Sequence, residues 1–421
     1  MTSFIFYITL LSFAVIVHVY IGYPLVLKLL SLITPKKVPL VDEDFLPEVS
    51  LLISCYNEAD VVDEKIQNSL AIDYPKDKIT IVIISDGSDD GTDEIAHSYS
   101  SQGVKLIRQE GRLGKTSAIN LAMEQVTSDI VVFSDANAMY KPEAIKKLVR
   151  NFADENVGYV VGAALYTDGK TSSAAASENI YWKYELALKT MESNLHSVVG
   201  GDGAIYAIRK SLYITLDAKD INDFVNPLQI IEQGYRGIFE PNAICLEETA
   251  GDFSKEAKRK QRIVNRSFRG LMKVKAVLNP FKYGFFSFEV ISHKLLRWLM
   301  PVFIGLFAVG SIYLGYQQLD FFKTTSILGI IFLWLAQVGY LKAEQTKISK
   351  VFFIPYYFLM VNYYSLMGVI TAIAGNIQVT WSTPRTDTEK ASKLTNKLVL
   401  KLIIANALLF KIFTDLLGQL T

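Results

Sequence analysis

The chain has 421 residues, a net charge of +1 and a hydrophobic fraction of 50%, and its mean hydropathy of +0.25 is high for a water-soluble protein. The balanced charge provides no long-range attraction to nucleic acid, which argues against a nucleic-acid-binding function. The two cysteines, Cys55 and Cys245, have no metal-ligand neighbours at close spacing. They therefore do not indicate a disulfide scaffold, and they are typical of a reducing compartment.

The first predicted element is a membrane span. Residues 4–27 contain no Asp, Glu, Lys or Arg, and this run is long enough to cross a bilayer as a helix. It lacks the basic start and the small-residue cleavage site of a signal peptide. Lys28, Lys36 and Lys37 follow the run and no basic residue precedes it. We therefore assign residues 1–33 to a membrane helix whose N-terminus lies outside, with the next domain in the cytoplasm.

A soluble α/β domain is predicted for residues 48–275. Apolar runs that predict strands occur at 49–54, 79–84, 104–108 and 130–133, and helical stretches lie between them at 60–70, 90–100 and 116–125. Strands that alternate with helices predict βαβ units and a mostly parallel sheet. The strands are nearly continuous apolar runs, which predicts that both faces of the sheet are covered.

The composition changes after residue 252. Basic residues crowd 255–269, and aromatic residues mix with charges over 281–298. The second pattern predicts a helix lying in the membrane interface, which we place at 276–298. Residues 299–316 and 325–340 are uncharged and each is long enough to span, so the part from 299 to 421 is predicted to hold the C-terminal membrane helices.

Residues 351–375 are also long and uncharged, but basic residues occur on both sides of them. The positive-inside rule then places both flanks in the cytoplasm. On this basis we predict a re-entrant or interfacial segment at 351–375. The last crossing would then be residues 398–417.

Acidic residues follow three of the predicted strands. Glu58 comes after the first strand, Asp86 after the second and Asp135 after the fourth. The carboxyl ends of parallel strands meet at one edge of a sheet, where ligands bind. Carboxylates there suit a ribose hydroxyl and a divalent cation that binds a diphosphate. Each motif also has a structural interpretation, with Asp86 in a turn and Asp135 as a helix N-cap.

The run Gly111 to Thr116 is similar to a phosphate-binding loop. It fails the Walker pattern, because Gln109 stands where the first glycine is required. A nucleoside-triphosphatase function is therefore disfavoured. Lys115 opens a predicted helix and is placed to contact a phosphate. The alternative is a solvated lysine at a turn.

Taken in order, these motifs resemble the membrane branch of the inverting family 2 glycosyltransferases, which includes the cellulose, chitin and hyaluronan synthases. The resemblance implies a GT-A nucleotide-sugar-binding domain and covers nearly the whole chain. The motifs that carry it are Tyr56-Asn57-Glu58, Ser85-Asp86-Gly87, Gly114-Lys115, Asp135-Ala136-Asn137, Gly200 to Ala204, Asn222-Asp223-Phe224, the basic residues from Arg259 to Arg269, His293 to Trp298, and Trp381 with Thr383 and Arg385.

The resemblance also implies roles for single residues. Asp223 would be the general base, with a helix cap as its structural alternative, and Asp135 and Asn137 would bind Mg²⁺ or Mn²⁺. An inverting displacement needs one such base and a cation on the leaving group. The residues implied for donor binding are Tyr56, Glu58, Asp86, Lys115, Asp135, Arg262 and Arg266. The residues implied for the acceptor side are Gly201, Asp202, Gly203 and Trp381.

Two positions depart from the family pattern. Asn137 replaces the usual second Asp of the metal motif. Processive synthases carry a Gln-x-x-Arg-Trp motif in the basic helix, and after Gln261 this chain has Val264 and Asn265 in place of the Arg and Trp. The acceptor-stacking tryptophan of those enzymes is thus absent. Polymer synthesis and single-sugar transfer both stay open.

The sequence as a whole predicts a hexosyltransferase in a bacterial inner membrane, with its catalytic domain in the cytoplasm. It would transfer a sugar from a nucleotide sugar, most simply a UDP-sugar, to a glycan or lipid-linked acceptor. One alternative is a catalytically inactive scaffold or glycan-binding partner, against which Asp86, Asp135 and Asp223 argue. The other is a transporter, against which the uncharged spans 299–316 and 325–340 argue.

Overall fold

A computed structural model describes residues 2–37, 39–167, 173–248, 253–343, 345, 348–376 and 396–419. The N-terminal segment is helical throughout. Helix α1 (Thr2–Val17) continues through a π-helical turn into α2 (Tyr23–Ile33). The combined run of 32 residues is long and apolar enough to cross a membrane. This agrees with the span predicted from the uncharged sequence.

The central domain is built on an eight-stranded sheet. In chain order its strands are β1 (Val49–Cys55), β2 (Ile79–Ser85), β3 (Lys105–Arg108), β4 (Ile130–Asp135), β5 (Met139–Tyr140), β6 (Val157–Tyr166), β7 (Tyr206–Arg209) and β8 (Arg236–Glu247). The order across the sheet is β3-β2-β1-β4-β7-β6-β8-β5. Strands β1 to β4 are mutually parallel, and β6 is parallel to β8. The short β7 runs antiparallel between β4 and β6. The prediction of a mostly parallel sheet is confirmed.

Helices cover both faces of this sheet. They are α3 (Ala59–Leu70), α4 (Thr92–Ser98), α5 (Lys115–Gln125), α6 (Ala144–Val149), α7 (Ser173–Leu195), α8 (Asn222–Glu232) and α9 (Phe253–Lys273). Every residue of β1 is buried. Leu51 and Ile53 belong to one apolar cluster and Leu52 to another. Successive side chains of a strand point to opposite faces, so this division explains why the strand is apolar throughout.

The C-terminal part is helical: α10 (Pro280–Tyr283), α11 (Phe285–Val290), α12 (Leu296–Tyr316), α13 (Asp320–Leu341), α14 (Lys350–Ile373) and α15 (Asn396–Gly418). A π-helical turn joins α11 to α12, so the predicted interfacial segment continues from Phe285 into the next span without a break. Within the part of the chain that the structure describes, four helical runs are apolar and long enough to cross a membrane: Thr2–Ile33, Phe285–Tyr316, Asp320–Leu341 and Lys350–Ile373.

The C-terminal helices bear on two predictions. The segment expected to be re-entrant or interfacial is the single continuous helix α14, which includes Pro355 and is a candidate span by length and composition. The helix expected as the last crossing, α15, is not among the candidate spans. Lys401, Lys411 and Asp415 interrupt its apolar stretch, and charges at membrane depth are costly.

The candidate membrane helices pack directly on the α/β domain. Tyr23 and Leu27 of α2 form a buried cluster with Leu188 of α7. Helix α14 lies against α9 at Gly368, where an added Cβ would come within 2.8 Å of the Gln261 carbonyl oxygen and 2.9 Å of Val264 Cβ. Domain and helices therefore form one packed body around the site.

Candidate active site

The loops after β1 and β2 are tied together at the sheet edge. The strands pair in register up to Cys55 and Ser85, so the two loops leave the sheet side by side. Asn57 adopts a left-handed backbone with a φ of 52°. Its amide donates to Asp89 Oδ1 at 2.8 Å and accepts the Asp89 backbone N–H at 3.0 Å. Glu58, the next residue, lines the large cavity beside this edge.

Asp86 organises a loop rather than facing open space. Its side chain is buried, with an exposed fraction of 1%. The carboxylate accepts the backbone N–H groups of Leu113 and Gly114 at 2.9 Å each, and the side-chain amide of Gln109. Burial raises the pKa of Asp86, and these donors oppose the shift. Gln109, the residue that breaks the Walker pattern, is thus a partner of Asp86 and fixes the approach to α5.

Lys115 and Asp135 form an ion pair at the centre of the edge. Lys115 is the first residue of α5 and Asp135 is the last of β4. The lysine side chain is 16% exposed, so the alternative of a solvated lysine is wrong. No helix starts at Asp135, because β4 passes through a turn into β5. The N-cap alternative for Asp135 is therefore also wrong.

The glycine-rich loop from Gly200 to Ala204 lies beside the ion pair of Lys115 and Asp135. Gly201 donates its backbone N–H to the Asp223 carbonyl oxygen at 2.5 Å. A Cβ built at Gly203 would lie 3.2 Å from Asp223 Oδ2, 3.3 Å from Asp135 Oδ2 and 3.6 Å from Lys115 Nζ. Two carboxylates and an ammonium group from three distant parts of the sequence therefore converge on one glycine. Any larger residue at 203 would have to push them apart.

Asp223 lies in the first turn of α8, whose N-cap is Ile221 and carries no side-chain cap. The helix-cap alternative for Asp223 is thus wrong. Burial raises the pKa of the Asp223 carboxyl, Lys115 and Arg266 lower it, and Asp202 and Asp135 raise it further. A carboxylate with a raised pKa is a stronger proton acceptor than an exposed one.

Two arginines one turn apart on α9 have different surroundings. Arg266 is 7% exposed. Its guanidinium donates to the carbonyl oxygens of Asp220 and Lys219 and to Thr116 Oγ1, and so braces the loop before α8. Arg262 lines the cavity and makes no hydrogen bond or ion pair with any residue that the structure describes. Burial lowers the pKa of Arg262 to about 10, so it stays a cation at neutral pH.

The departures at Val264 and Asn265 have a packing explanation. Val264 meets α14 at Gly368. The Asn265 amide donates to Thr371 Oγ1 at 2.9 Å and to the Asn376 carbonyl oxygen at 3.0 Å. Both residues thus secure the end of α14 against α9.

One cavity of about 1650 Å³ connects these groups with the membrane helices. On the domain side it is lined by Glu58, Lys115, Asp135, Asn137, Gly201, Asp202, Gly203, Asp223, Arg262 and Arg266. On the other side it is lined by Tyr20, Tyr181, Arg297, Trp298, Phe358 and Asn362. Most of the predicted site residues are therefore brought to one space that reaches the membrane segments.

Two predicted residues lie outside the cavity lining, and a third is not among the described residues. Asp86 lies beneath its loop, and Tyr56 lies under the Arg112 guanidinium, whose carbon is 4.0 Å from the ring centroid. Neither is part of the cavity lining. Trp381, together with Thr383 and Arg385, falls outside the described residues.

Several residues of the site were not predicted. Lys65 of α3 is fully buried and donates to the Ala138 carbonyl oxygen, which supports the loop after β4. Burial lowers the pKa of Lys65 to about 8. Lys189 of α7 pairs with Asp202 at 3.1 Å. A lysine among apolar helix positions is the only sequence signal for Lys65, and Lys189 offered none.

The residues at the sheet edge fit a divalent cation that arrives with a diphosphate. Among the described residues, no group of three or more His, Cys, Asp or Glu side chains is placed to hold a metal. Asp135 and Asn137 offer one carboxylate and one amide oxygen beside the cavity. Mg²⁺ and Mn²⁺ accept such sparse sets, because substrate phosphates and water complete the coordination.

Residues 50–216 match the model of the glycosyl transferase family 2. The chain is 26% identical over 284 residues to the poly-β-1,6-N-acetyl-D-glucosamine synthase of Staphylococcus aureus (strain MSSA476), covering 64% of this chain and 67% of that one. It is 24% identical over 348 residues to the probable glycosyltransferase YdaM of Bacillus subtilis (strain 168), covering 78% and 82%.

Among solved structures, the mannosyltransferase PcManGT from Pyrobaculum calidifontis, in complex with GDP-Man and Mn²⁺, superposes with a TM-score of 0.64. The identity is 21%, and the match covers 87% of this chain and 99% of that one. This likeness shows that the two chains share a fold.

Proposed function

The chain is a family 2 glycosyltransferase related to polysaccharide synthases, and from this premise we propose that it transfers a hexose, with inversion, from a nucleotide sugar to an acceptor that reaches the site from the membrane. The observation that carries the proposal is the convergence of Asp223, Asp135 and Lys115 on Gly203. It lies in a cavity that also reaches Tyr20 and Phe358 of the membrane helices.

In the proposed reaction, Asp223 accepts the proton of the acceptor hydroxyl. The hydroxyl oxygen forms a bond to the anomeric carbon while the bond from that carbon to the diphosphate oxygen breaks on the opposite side. One displacement inverts the configuration and needs no second catalytic carboxylate. The raised pKa of Asp223 suits this task. The Gly201 backbone N–H donates to the Asp223 carbonyl oxygen at 2.5 Å and so holds the residue in place.

Lys115 and Arg262 are proposed to contact the diphosphate. Arg262 is the better supported of the two cations, because it faces the cavity without a partner among the described residues. Arg266 is proposed to position the loop before Asp223 and not to contact the diphosphate, since its guanidinium already donates to the carbonyl oxygens of Ala218 and Asp220. Asp86, which the resemblance pairs with Glu58 as a nucleoside-binding residue, likewise acts through the loop that it holds. Glu58 stays the candidate for the nucleoside, and Tyr56 stays a predicted donor-binding residue.

Asp135 and Asn137 would hold the divalent cation, as Mn²⁺ accompanies GDP-Man in the similar mannosyltransferase. When bound, such a cation neutralises charge on the departing diphosphate. Lys115 balances the Asp135 charge in its absence.

The acceptor is proposed to be a glycan or a lipid-linked sugar. Gly201, Asp202 and Gly203 form the side of the cavity between Asp223 and α7, which supports their acceptor role, and Trp381 stays a prediction. Lys28, Lys36 and Lys37 after the first membrane helix favour a cytoplasmic catalytic domain in a bacterial inner membrane.

A donor screen tests the proposal. The full chain in lipid nanodiscs would receive Mg²⁺ or Mn²⁺ and a panel of UDP-, GDP- and dTDP-sugars, with nucleoside diphosphate release followed and the product sized on a gel. We expect release with one donor, lowered roughly 10²- to 10⁴-fold in Asp223→Asn. Asp217→Asn, on the exposed part of the preceding loop, is the matched control and should keep the wild-type rate.

Binding of a nucleotide without any release would contradict the proposal and favour an inactive relative. Equal loss of activity in both variants would contradict the base assignment alone. Product length on the gel distinguishes a polymer from a single added sugar.

A further inference from the structure

Glu192 of α7 is a fully buried carboxylate between the membrane helices and the catalytic loop. One of its oxygens, Oε1, accepts the Tyr23 hydroxyl at 2.5 Å and lies 2.5 Å from His293 Nδ1. The other, Oε2, accepts the backbone N–H of Val199 at 3.2 Å. Its three partners thus come from the N-terminal membrane helix, from the start of the second membrane run and from the glycine-rich loop.

This arrangement ties the position of the loop to the position of the membrane helices. A buried carboxylate is costly unless hydrogen bonds and opposite charge compensate it. Here both oxygens are occupied, and the far side of the His293 ring, Nε2, lies 2.9 Å from Glu185 Oε2. The other oxygen of Glu185, Oε1, pairs with Arg297. A displacement of α2 or of the helical run from Phe285 would break one or more of these contacts.

The loop that Glu192 holds leads directly to the candidate base. Val199 precedes Gly200, and Gly201 donates to the Asp223 carbonyl oxygen at 2.5 Å. An added Cβ at Gly201 would come within 2.7 Å of the same oxygen. Because Gly201 and the Asp223 backbone are closely packed, we expect a shift of the Val199 backbone to move Asp223 relative to Asp135.

We propose that Glu192 is a positioning residue for sugar transfer, and that docking of Tyr23 and His293 on Glu192 sets the geometry of the 199–203 loop. The proposal rests on the transferase function proposed above. Its consequence is that the first membrane helix is part of the catalytic apparatus as well as an anchor. Misplacement of a reacting group by a fraction of its contact distance lowers the rate without removing any group that binds the donor.

Tyr23→Phe tests the proposal with the smallest change, since it removes only the hydroxyl. Kinetics would be measured in nanodiscs with the donor found by the screen. We expect kcat to fall about tenfold while the donor KM stays unchanged. The matched control is Tyr74→Phe, another buried tyrosine, whose hydroxyl donates to the Pro47 carbonyl oxygen at 2.6 Å. It loses a comparable hydrogen bond and should keep the wild-type kcat.

Glu192 itself provides a graded pair of variants. Glu192→Gln keeps one acceptor oxygen, enough for either Val199 or Tyr23 but not for both, so it should retain more kcat than Glu192→Ala, which should lose about 100-fold. If Glu192→Ala does not fold, Tyr23→Phe and Glu192→Gln still decide the matter. An unchanged kcat in both would overturn the proposal, and so would a rise in donor KM equal to the loss in kcat.

Amide hydrogen exchange gives a readout that does not depend on turnover. In Tyr23→Phe, exchange of the amides from Val199 to Gly203 should accelerate, and in Tyr74→Phe it should not. Unchanged exchange at these amides would contradict the positioning role even in a chain that transfers no sugar. Failure of the wild-type chain to release any nucleotide would contradict the transferase function instead, so the two failures are distinguishable.

Discussion

The cavity has two walls that are built in different ways. The sheet-edge wall includes Glu58 and residues 135–137, which lie at the ends of β1 and β4, two strands whose register is set by backbone hydrogen bonds. The helix wall consists of the facing side chains of α7, α9, α12 and α14. Its side chains are fixed by contacts such as Tyr23 with Glu192, 169 residues apart, and His293 with Glu192, 101 residues apart.

The difference shows where rigidity comes from on each side. On the sheet-edge wall, a parallel ladder that lies in the core positions the carboxylates before any ligand binds. On the helix wall, pairs of charged side chains position the groups, and each pair exists only when several distant segments have assembled. Substitutions on the first wall should therefore affect chemistry alone, whereas those on the second should affect geometry or stability as well.

Among the substitutions in the two walls, Asp135→Asn should have the largest effect on nucleotide release. It removes the carboxylate proposed to hold the cation and leaves Lys115 unpaired, so we expect nucleotide release to fall by roughly 10²- to 10⁴-fold. A chelator should abolish release by the wild-type chain. The control is Asp129→Asn, an exposed residue just before the same strand. Wild-type activity in Asp135→Asn with an undiminished metal response would contradict the chemical role of the sheet-edge wall.

The two arginines of α9 test the helix wall with matched substitutions. Arg262→Ala should weaken donor use by about 10- to 100-fold with unchanged thermal stability, because it removes an unpartnered cation from the cavity. Arg266→Ala should instead cost about 2–3 kcal/mol of unfolding free energy, because it removes a buried guanidinium that donates to the Asp220 carbonyl oxygen and to Thr116 Oγ1. Donor titration and thermal unfolding would be measured on both. If Arg266→Ala weakened donor use and Arg262→Ala lowered stability, the result would show that Arg266 is the residue that binds the donor.

The pH dependence of kcat/KM should show the smallest effect. Asp223 acts as a base only when ionised, so activity is lost as the pH falls through its pKa. Because burial raises that pKa, the acidic limb should lie above the ordinary value of an aspartate, about 3.9.

Asp202→Asn removes a neighbouring charge that raises the pKa of Asp223, so it should move the acidic limb to lower pH. Lys115→Met removes a cation that lowers it and should move the limb to higher pH. A limb that stays fixed in both variants would mean that another group titrates.

Much of the fold was predictable where short-range patterns decide it. Strands β1 to β4 and helices α3 to α5 agree with the apolar runs and helical stretches. Strands β1 and β4 are buried along nearly their whole length, which keeps their sequences apolar. The second half of the sheet was not predicted. Strand β8 contains Glu240-Pro241-Asn242, which is typical of a turn, and β7 has only four residues and is inserted between β4 and β6. Tertiary pairing, rather than local preference, determines both strands.

The site divides in the same way. Asp135 was predictable because the ends of strands in one sheet meet at one edge. Asp223 lies in the first turn of α8 and was predicted only from the order of the motifs that carry the family resemblance. Nothing near Arg266 in the sequence separates it from Arg262, since the difference lies in a loop 46 residues away. Glu192 was not predicted for the same reason, because two of its three partners are more than 100 residues distant.

The contact of Tyr23 with Glu192 also imposes an order on biosynthesis. At about 5–20 residues per second, translation needs on the order of tens of seconds to pass from Tyr23 to His293. During that interval Tyr23 has already been synthesised, but His293, the other side chain that contacts Glu192 Oε1, has not. The nascent chain must therefore keep α7 accessible until the second membrane run emerges, so the domain closes around its loop only as a late event at the membrane surface.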